Sequence, residues 1–259
     1  MSIVTLITDF GTRDGYVGEM KGVILSACSS ARIVDVTHDI EPGDVAGAAW
    51  VLGRIWERFP PDTVHLVVVD PGVGSDRVAL AARVADRWFV GPDNGVLSTG
   101  MEGPVDDARR IDPAGMGLPA PSTTFHGRDV FAPAAGWLAA GHPSDGLGPP
   151  VDPAQLRRFS APVPTRVGDA ARGEVVRVDR FGNLITNIPA SWVNPTALVE
   201  VGGQVISGLR THYAMVEPGD LVALIGSGGT LEISVRNESA AARLDARRGA
   251  RVSVRAHRD

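Results

Sequence analysis

Thr63-Val64-His65-Leu66-Val67-Val68-Val69-Asp70-Pro71-Gly72 is the stretch that decides the fold. Residues 63–69 are almost continuously apolar and β-branched, the pattern of a strand covered on both faces inside a parallel sheet. The run ends abruptly on a carboxylate, Asp70, and a Pro-Gly turn. Upstream, residues 2–8 form a similar short run that stops at Asp9-Phe10-Gly11, and residues 32–36 form a third. Between the first and the third, Val17, Met20, Ile24 and Ala27 recur at helical spacing, with Asp14 placed to cap the helix. A second helix is expected from Asp44, with Val45, Ala48, Leu52, Ile55 and Phe59 on one stripe and Pro60-Pro61 as its stop. Strand and helix thus alternate, which predicts an α/β domain with a central, mostly parallel sheet and helices on both faces.

The second part of the chain has a different rhythm. Pro143, Pro149, Pro150, Pro153, Pro162 and Pro164 crowd a stretch of little periodicity. Beyond it, short alternating runs at 173–179, 197–201, 221–226, 231–236 and 251–256 are separated by glycine turns such as Gly202-Gly203. That pattern predicts an all-β, barrel-like module. The expected organisation is an N-terminal α/β domain over 1–157 carrying the nucleophile site, a linker over 158–170, and a C-terminal β-barrel domain over 171–259.

Composition narrows the function classes. The 259 residues are 44% hydrophobic and 21% charged with a net charge of -5, which suits a globular protein and argues against a nucleic-acid partner. No apolar run approaches the roughly 18 residues that span a bilayer, and the chain opens directly on a strand-like run, so a cytoplasmic protein is expected with no membrane partner. The one cysteine, Cys28, lies in an apolar helical pattern and reads as a small buried hydrophobe.

The candidate site follows from the strand ends. Asp9, Asp70 and the Pro92-Asp93-Asn94-Gly95 loop each follow an apolar run, and ligands of open parallel sheets bind at the carboxyl ends of strands. Taken alone, Pro71-Gly72-Val73-Gly74 is an ordinary turn, and Arg77 at the third glycine position excludes a dinucleotide fingerprint. Arg77 is nevertheless close enough in sequence to fold back onto Asp70. In Phe125-His126-Gly127-Arg128-Asp129 the glycine permits close backbone approach, and Asp129 is expected to cap a helix over 130–140. In the β module, Asp179-Arg180-Phe181-Gly182-Asn183 combines an aromatic with an amide, a pairing that suits a planar, polar-edged ligand. Ser227-Gly228-Gly229 and Arg236-Asn237 could supply donors for a carboxylate. No paired-cysteine or two-histidine spacing supports a metal site.

In order along the chain, Thr8-Asp9-Phe10-Gly11, Asp14-Gly15-Tyr16-Val17-Gly18, Asp35-Val36-Thr37-His38, Asp70-Pro71-Gly72-Val73-Gly74, Pro92-Asp93-Asn94-Gly95, Phe125-His126-Gly127-Arg128-Asp129 and Phe181-Gly182-Asn183 resemble the S-adenosylmethionine hydroxide adenosyltransferases, relatives of the fluorinase and chlorinase enzymes. The resemblance runs over nearly the whole chain. It implies hydrolysis of S-adenosylmethionine to adenosine and methionine, without metal or organic cofactor, by a homotrimer whose sites lie at subunit interfaces. It implies Asp70, Arg77 and His126 as the catalytic set that holds and deprotonates a water, and leaves open which of Asp70 and His126 takes the proton. It implies Asp9 on the ribose hydroxyls, with Asp179, Phe181, Asn183 and Ser227 on the methionine or adenine portion and Tyr213 and Arg236 nearby. Gly43 stands where the fluorinase carries a bulky aromatic, and the compact segment from Arg77 to Pro92 has no room for the halogenases' inserted loop, so halide transfer is the weaker alternative. A binding protein without turnover and a metal-dependent hydrolase are the other rivals.

Overall fold

The structure, a computed structural model, describes residues 2–256; Met1 and residues 257–259, the outermost positions of the two expected domains, lie outside the described residues. The chain divides into two compact units at Phe159/Ser160. The segment expected as a linker, 158–170, carries a short strand, Thr165–Val167, that pairs with the next one.

In the first unit β1 (Ile3–Thr8), β2 (Arg32–Thr37) and β3 (Val64–Val68) are joined by α1 (Tyr16–Ala27) and α2 (Val45–Ile55). The hairpin β4 (Ala79–Val84) and β5 (Arg87–Pro92), then β6 (Asp107–Arg110), complete a six-stranded sheet in the order β2-β1-β3-β5-β4-β6. β1, β2, β3 and β5 run parallel, whereas β4 lies antiparallel between β5 and β6. β3 is buried along its whole length, as its unbroken apolar run predicts.

Alternation along each strand builds two cores. Val4, Leu6, Leu66 and Val68 face Met20 and Ile24 of α1 and Phe131 and Ala135 around α3 (Ala132–Ala139). Ile7, Val67, Leu80 and Phe89 face Ala48 and Leu52 of α2 on the other side. Each such aliphatic side chain contributes about 1.5–3 kcal/mol when fully buried. α1 and α3 approach closely because α3 is built of small residues; a Cβ on Gly136 would lie 2.6 Å from the Ala27 Cβ.

Two expected caps are corrected. α1 starts at Tyr16 with Gly15 as its N-cap and no side-chain cap, so Asp14 sits one residue too early to reach the first free N–H groups. Asp129 is not the cap of a helix over 130–140: it lies inside a wide π-type turn, Gly127–Phe131, where the backbone is already helical, and α3 begins only at Ala132. Its carboxylate turns back to accept from Ser122 N and from Arg128. Asp44 does cap α2, accepting from Gly47 N at 2.9 Å.

The second unit contains β7 (Thr165–Val167), β8 (Ala170–Val178), β9 (Leu184–Pro189), β10 (Leu198–Val201), β11 (Gln204–Ser207), β12 (Leu221–Ile225), β13 (Thr230–Val235), the short α4 (Ala240–Arg243) and β14 (Arg251–Arg255). All pairings are antiparallel in the order β11-β10-β14-β8-β9-β13-β12, with β7 added to β8. Arg210 N just beyond β11 donates to Ala223 O of β12, so the two ends of the order approach each other and nearly close a barrel. Val175, Leu184, Val199, Leu231, Ile233 and Val252 fill its interior.

Candidate active site

Three strand ends of the first unit were expected to share a site, and two of them do. Asp9 after β1 and Asp70 after β3 line a cavity of about 540 Å³, together with Gly43, Phe125, His126 and Gly127. Asp9 is steadied by Gly43, whose N–H donates to Oδ2 at 2.8 Å from a left-handed conformation (φ 76) that glycine adopts without strain. The third loop has a different task. The buried Asp93 accepts from Arg157 N, and Asn94 Nδ2 donates to Val69 O, so Pro92-Asp93-Asn94-Gly95 ties down the chain that leaves the unit. Burial raises the Asp93 carboxyl above its ordinary range.

Arg77 folds back onto Asp70 as its spacing allowed. Its Nε donates to Oδ1 and Oδ2 at 3.0 and 2.8 Å, and Nη2 donates again to Oδ2. Both side chains are only 6% exposed, and the guanidinium lies 5.1 Å from the Phe131 ring centroid. The same Nη2 is 2.9 Å from His126 Nδ1. A guanidinium can only donate, so Nδ1 must accept, and a neutral His126 carries its proton on Nε2. Burial, reinforced by the Arg77 charge, lowers the imidazole below its ordinary value, which keeps it neutral near pH 7. One cation therefore fixes the orientation of a carboxylate and the tautomer of a histidine at once.

Sequence reasoning missed the aromatic wall of this cavity. Phe10, Tyr16 and Phe125 meet edge to face, with centroids 5.2–6.2 Å apart. The signal was available, because each ring sits inside a motif already singled out for its charged or glycine residues. Among the described residues no group of three or more His, Cys, Asp or Glu side chains is placed to hold a metal ion. Likewise, no helix among them is long and apolar enough to cross a membrane.

The second unit gathers most of the other expected residues. Asp179 organises its turn, with Oδ1 accepting from Phe181 N and Asn183 N and Oδ2 from Asn183 Nδ2, each at 2.9 Å. Phe181 is 77% exposed. Tyr213 donates its hydroxyl to Glu232 at 2.6 Å. The turn that carries Ser227 abuts the same carboxylate, since a Cβ on Gly226 would lie 2.5 Å from Glu232 Oε2. Arg236 Nη1 donates to Val216 O at 2.7 Å. Glu232 itself was overlooked: in a strand where polar and apolar residues alternate, it reads as solvent-facing, whereas β13 is buried on both faces.

The chain is similar to known proteins over nearly its whole length. Residues 4–148 match the model of the SAM hydroxide adenosyltransferase N-terminal domain, and residues 173–253 match that of the C-terminal domain. An (R)-S-adenosyl-L-methionine hydrolase from Thermus thermophilus is 39% identical, covering 96% of this chain and 98% of its own. One from Salinispora tropica is 37% identical, covering 98% and 97%. A fluorinase from an Actinoplanes species is 30% identical over 72% of this chain and 71% of its own. The crystal structure of a conserved protein from Thermotoga maritima superposes with a TM-score of 0.89 at 36% identity, covering 97% of this chain and 99% of that one. The chain belongs to the SAM hydroxide adenosyltransferase family.

Proposed function

We propose that this protein is a hydrolase that cleaves S-adenosyl-L-methionine at ribose C5′, giving adenosine and L-methionine. Its hydrolase relatives are named for the (R) form, and that sulfonium epimer is the substrate proposed here. The observation that carries the reading is the Arg77 bridge between Asp70 and His126 at the wall of the 540 Å³ cavity. A sulfonium leaves without acid assistance, so the difficulty lies in the nucleophile. Water must be held in line with the C5′–S bond and lose a proton as the new bond forms.

The hydrogen bonds favour a division of labour. His126 Nδ1 already accepts from Arg77, so its Nε2–H is a donor that orients the water oxygen. Asp70 is the group with negative charge and a spare lone pair on Oδ1, and it takes the proton. The oxygen–C5′ bond forms, the C5′–S electron pair returns to sulfur as a neutral thioether, and methionine departs. Asp9 is proposed for the ribose hydroxyls, and Asp179, Phe181, Asn183, Tyr213, Ser227 and Arg236 for the remainder of the substrate. A halide has no proton to give Asp70, whereas water does, so the carboxylate favours water at the nucleophile's place.

No metal or organic cofactor is proposed, and self-association as a homotrimer is proposed from the family resemblance. The net charge of -5 speaks against a nucleic-acid partner. A fold with one cysteine needs no disulfide, which suits the cytoplasm. The test is product analysis with (R)- and (S)-S-adenosylmethionine, with and without chloride and a chelator. Adenosine and methionine from the (R) epimer, insensitive to chelator, are expected; 5′-chloroadenosine as the main product would overturn the reading.

A further inference from the structure

We infer that Glu232 is a positioning residue for the cationic end of the ligand: it accepts the Tyr213 hydroxyl hydrogen bond, leaving the phenol oxygen's lone pairs as acceptors, and its own buried charge reserves the place for an ammonium group. Glu232 lies in β13 and is 7% exposed. A carboxylate so buried needs a compensating partner. Two neutral hydroxyls donate to it, Tyr213 at 2.6 Å and Ser234 at 3.1 Å, both on Oε1. Oε2 faces Gly226, where any side chain would strike it.

Tyr213 reports the same environment. Burial, the hydrogen bond to Glu232 and the charges of Glu232 and Asp179 push its phenol up to about 12. Two carboxylates thus bias this place against a further negative group and toward a positive one. With the phenol proton committed to Glu232, the exposed side of the oxygen offers only lone pairs, which suit N–H donors. The proposed substrate has two cationic centres. The sulfonium belongs to the breaking bond and has no N–H to give, so the group selected is the α-ammonium. This last identification rests on the proposed function.

The test compares wild type and Glu232→Gln on (R)-S-adenosylmethionine and on an analogue with hydrogen in place of the α-ammonium. Glu232→Gln is expected to raise KM for the amino-bearing substrate by about 10- to 100-fold, with kcat nearly unchanged, and to bring the two substrates toward parity. A second readout needs no turnover. The chain has two tyrosines, so in a Tyr16→Phe background tyrosinate absorbance follows Tyr213 alone. Glu232→Gln is expected to lower its midpoint from about 12 toward 10.0. A wild type inactive on both substrates refutes the proposed function and leaves the titration to judge Glu232. Undiminished discrimination in Glu232→Gln, or a midpoint it does not move, overturns the inference. If that variant does not fold, Tyr213→Phe serves: a several-fold higher KM at constant kcat is expected, and an unchanged KM refutes the assignment.

Discussion

The two units treat a buried carboxylate in opposite ways. In the first, Asp70 is neutralised by a guanidinium that also fixes His126, and the arrangement is complete without a ligand. In the second, Glu232 is held by hydroxyls, and the positive charge is left for the ligand to bring. The difference matches the two tasks. A water must find its base and its orienting donor already in place, because reorganisation during the reaction would cost rate. A recognition site gains selectivity when its buried charge is satisfied only by the right ligand.

The comparison can be broken at several points. Asp70→Asn keeps the shape but removes the base, and turnover is expected to fall by about 10²- to 10⁴-fold with substrate binding retained. Near-normal turnover in single-turnover kinetics would remove Asp70 from the mechanism. Arg77→Met leaves Asp70 buried without its cation, and a loss of about 3–5 kcal/mol in denaturant unfolding is expected. A loss below about 1 kcal/mol would mean that Asp70 is not committed to Arg77.

Another histidine sharpens the picture from outside the site. His65 is fully buried, bonded through Nδ1 to Thr5, stacked on Phe89, and has no partner on Nε2 among the described residues. Burial, with the Arg87 charge, lowers it from 6.5 to about 4. Its folded value lies below its unfolded one, so the unfolded chain binds the extra proton first and stability falls as pH drops from 6.5 toward 4. The full loss is about 3 kcal/mol. Asp129, held at about 2 by Arg128, adds to this only below its ordinary 3.8. Melting curves of the first unit's transition, read against pH, should flatten in His65→Leu; a wild-type curve already flat from pH 6.5 to 4.5 contradicts the assignment. The smallest effect separates two aspartates that look alike in sequence. Asp44→Ala is expected to cost about 1 kcal/mol and Asp14→Ala less than about 0.5 kcal/mol, since only Asp44 caps its helix.

That pair also marks where the sequence stops being legible. Strand runs such as residues 63–69 name themselves, because burial on both faces demands an unbroken apolar stretch. The pairing of Arg77 with Asp70 could be anticipated from spacing, and the family resemblance drew His126 to them. Cap geometry could not be read, because a shift of one residue at Tyr16, or a wide turn at Gly127–Phe131, removes a cap without changing composition. Asp93 looked like a third member of the site and proved to be an anchor for Arg157, a contact 64 residues away in the chain. Glu232 was invisible for a related reason: alternation in β13 suggests one wet face, and only barrel closure buries both.

The central claim is that water, activated beside Asp70, attacks C5′. Its most direct test is turnover of (R)-S-adenosylmethionine in oxygen-18 water followed by mass spectrometry of the nucleoside. The account predicts adenosine labelled at its 5′ oxygen, with the label and the product both lost in Asp70→Asn. Unlabelled adenosine, or 5′-methylthioadenosine with homoserine as its companion, would place the attack elsewhere and contradict it.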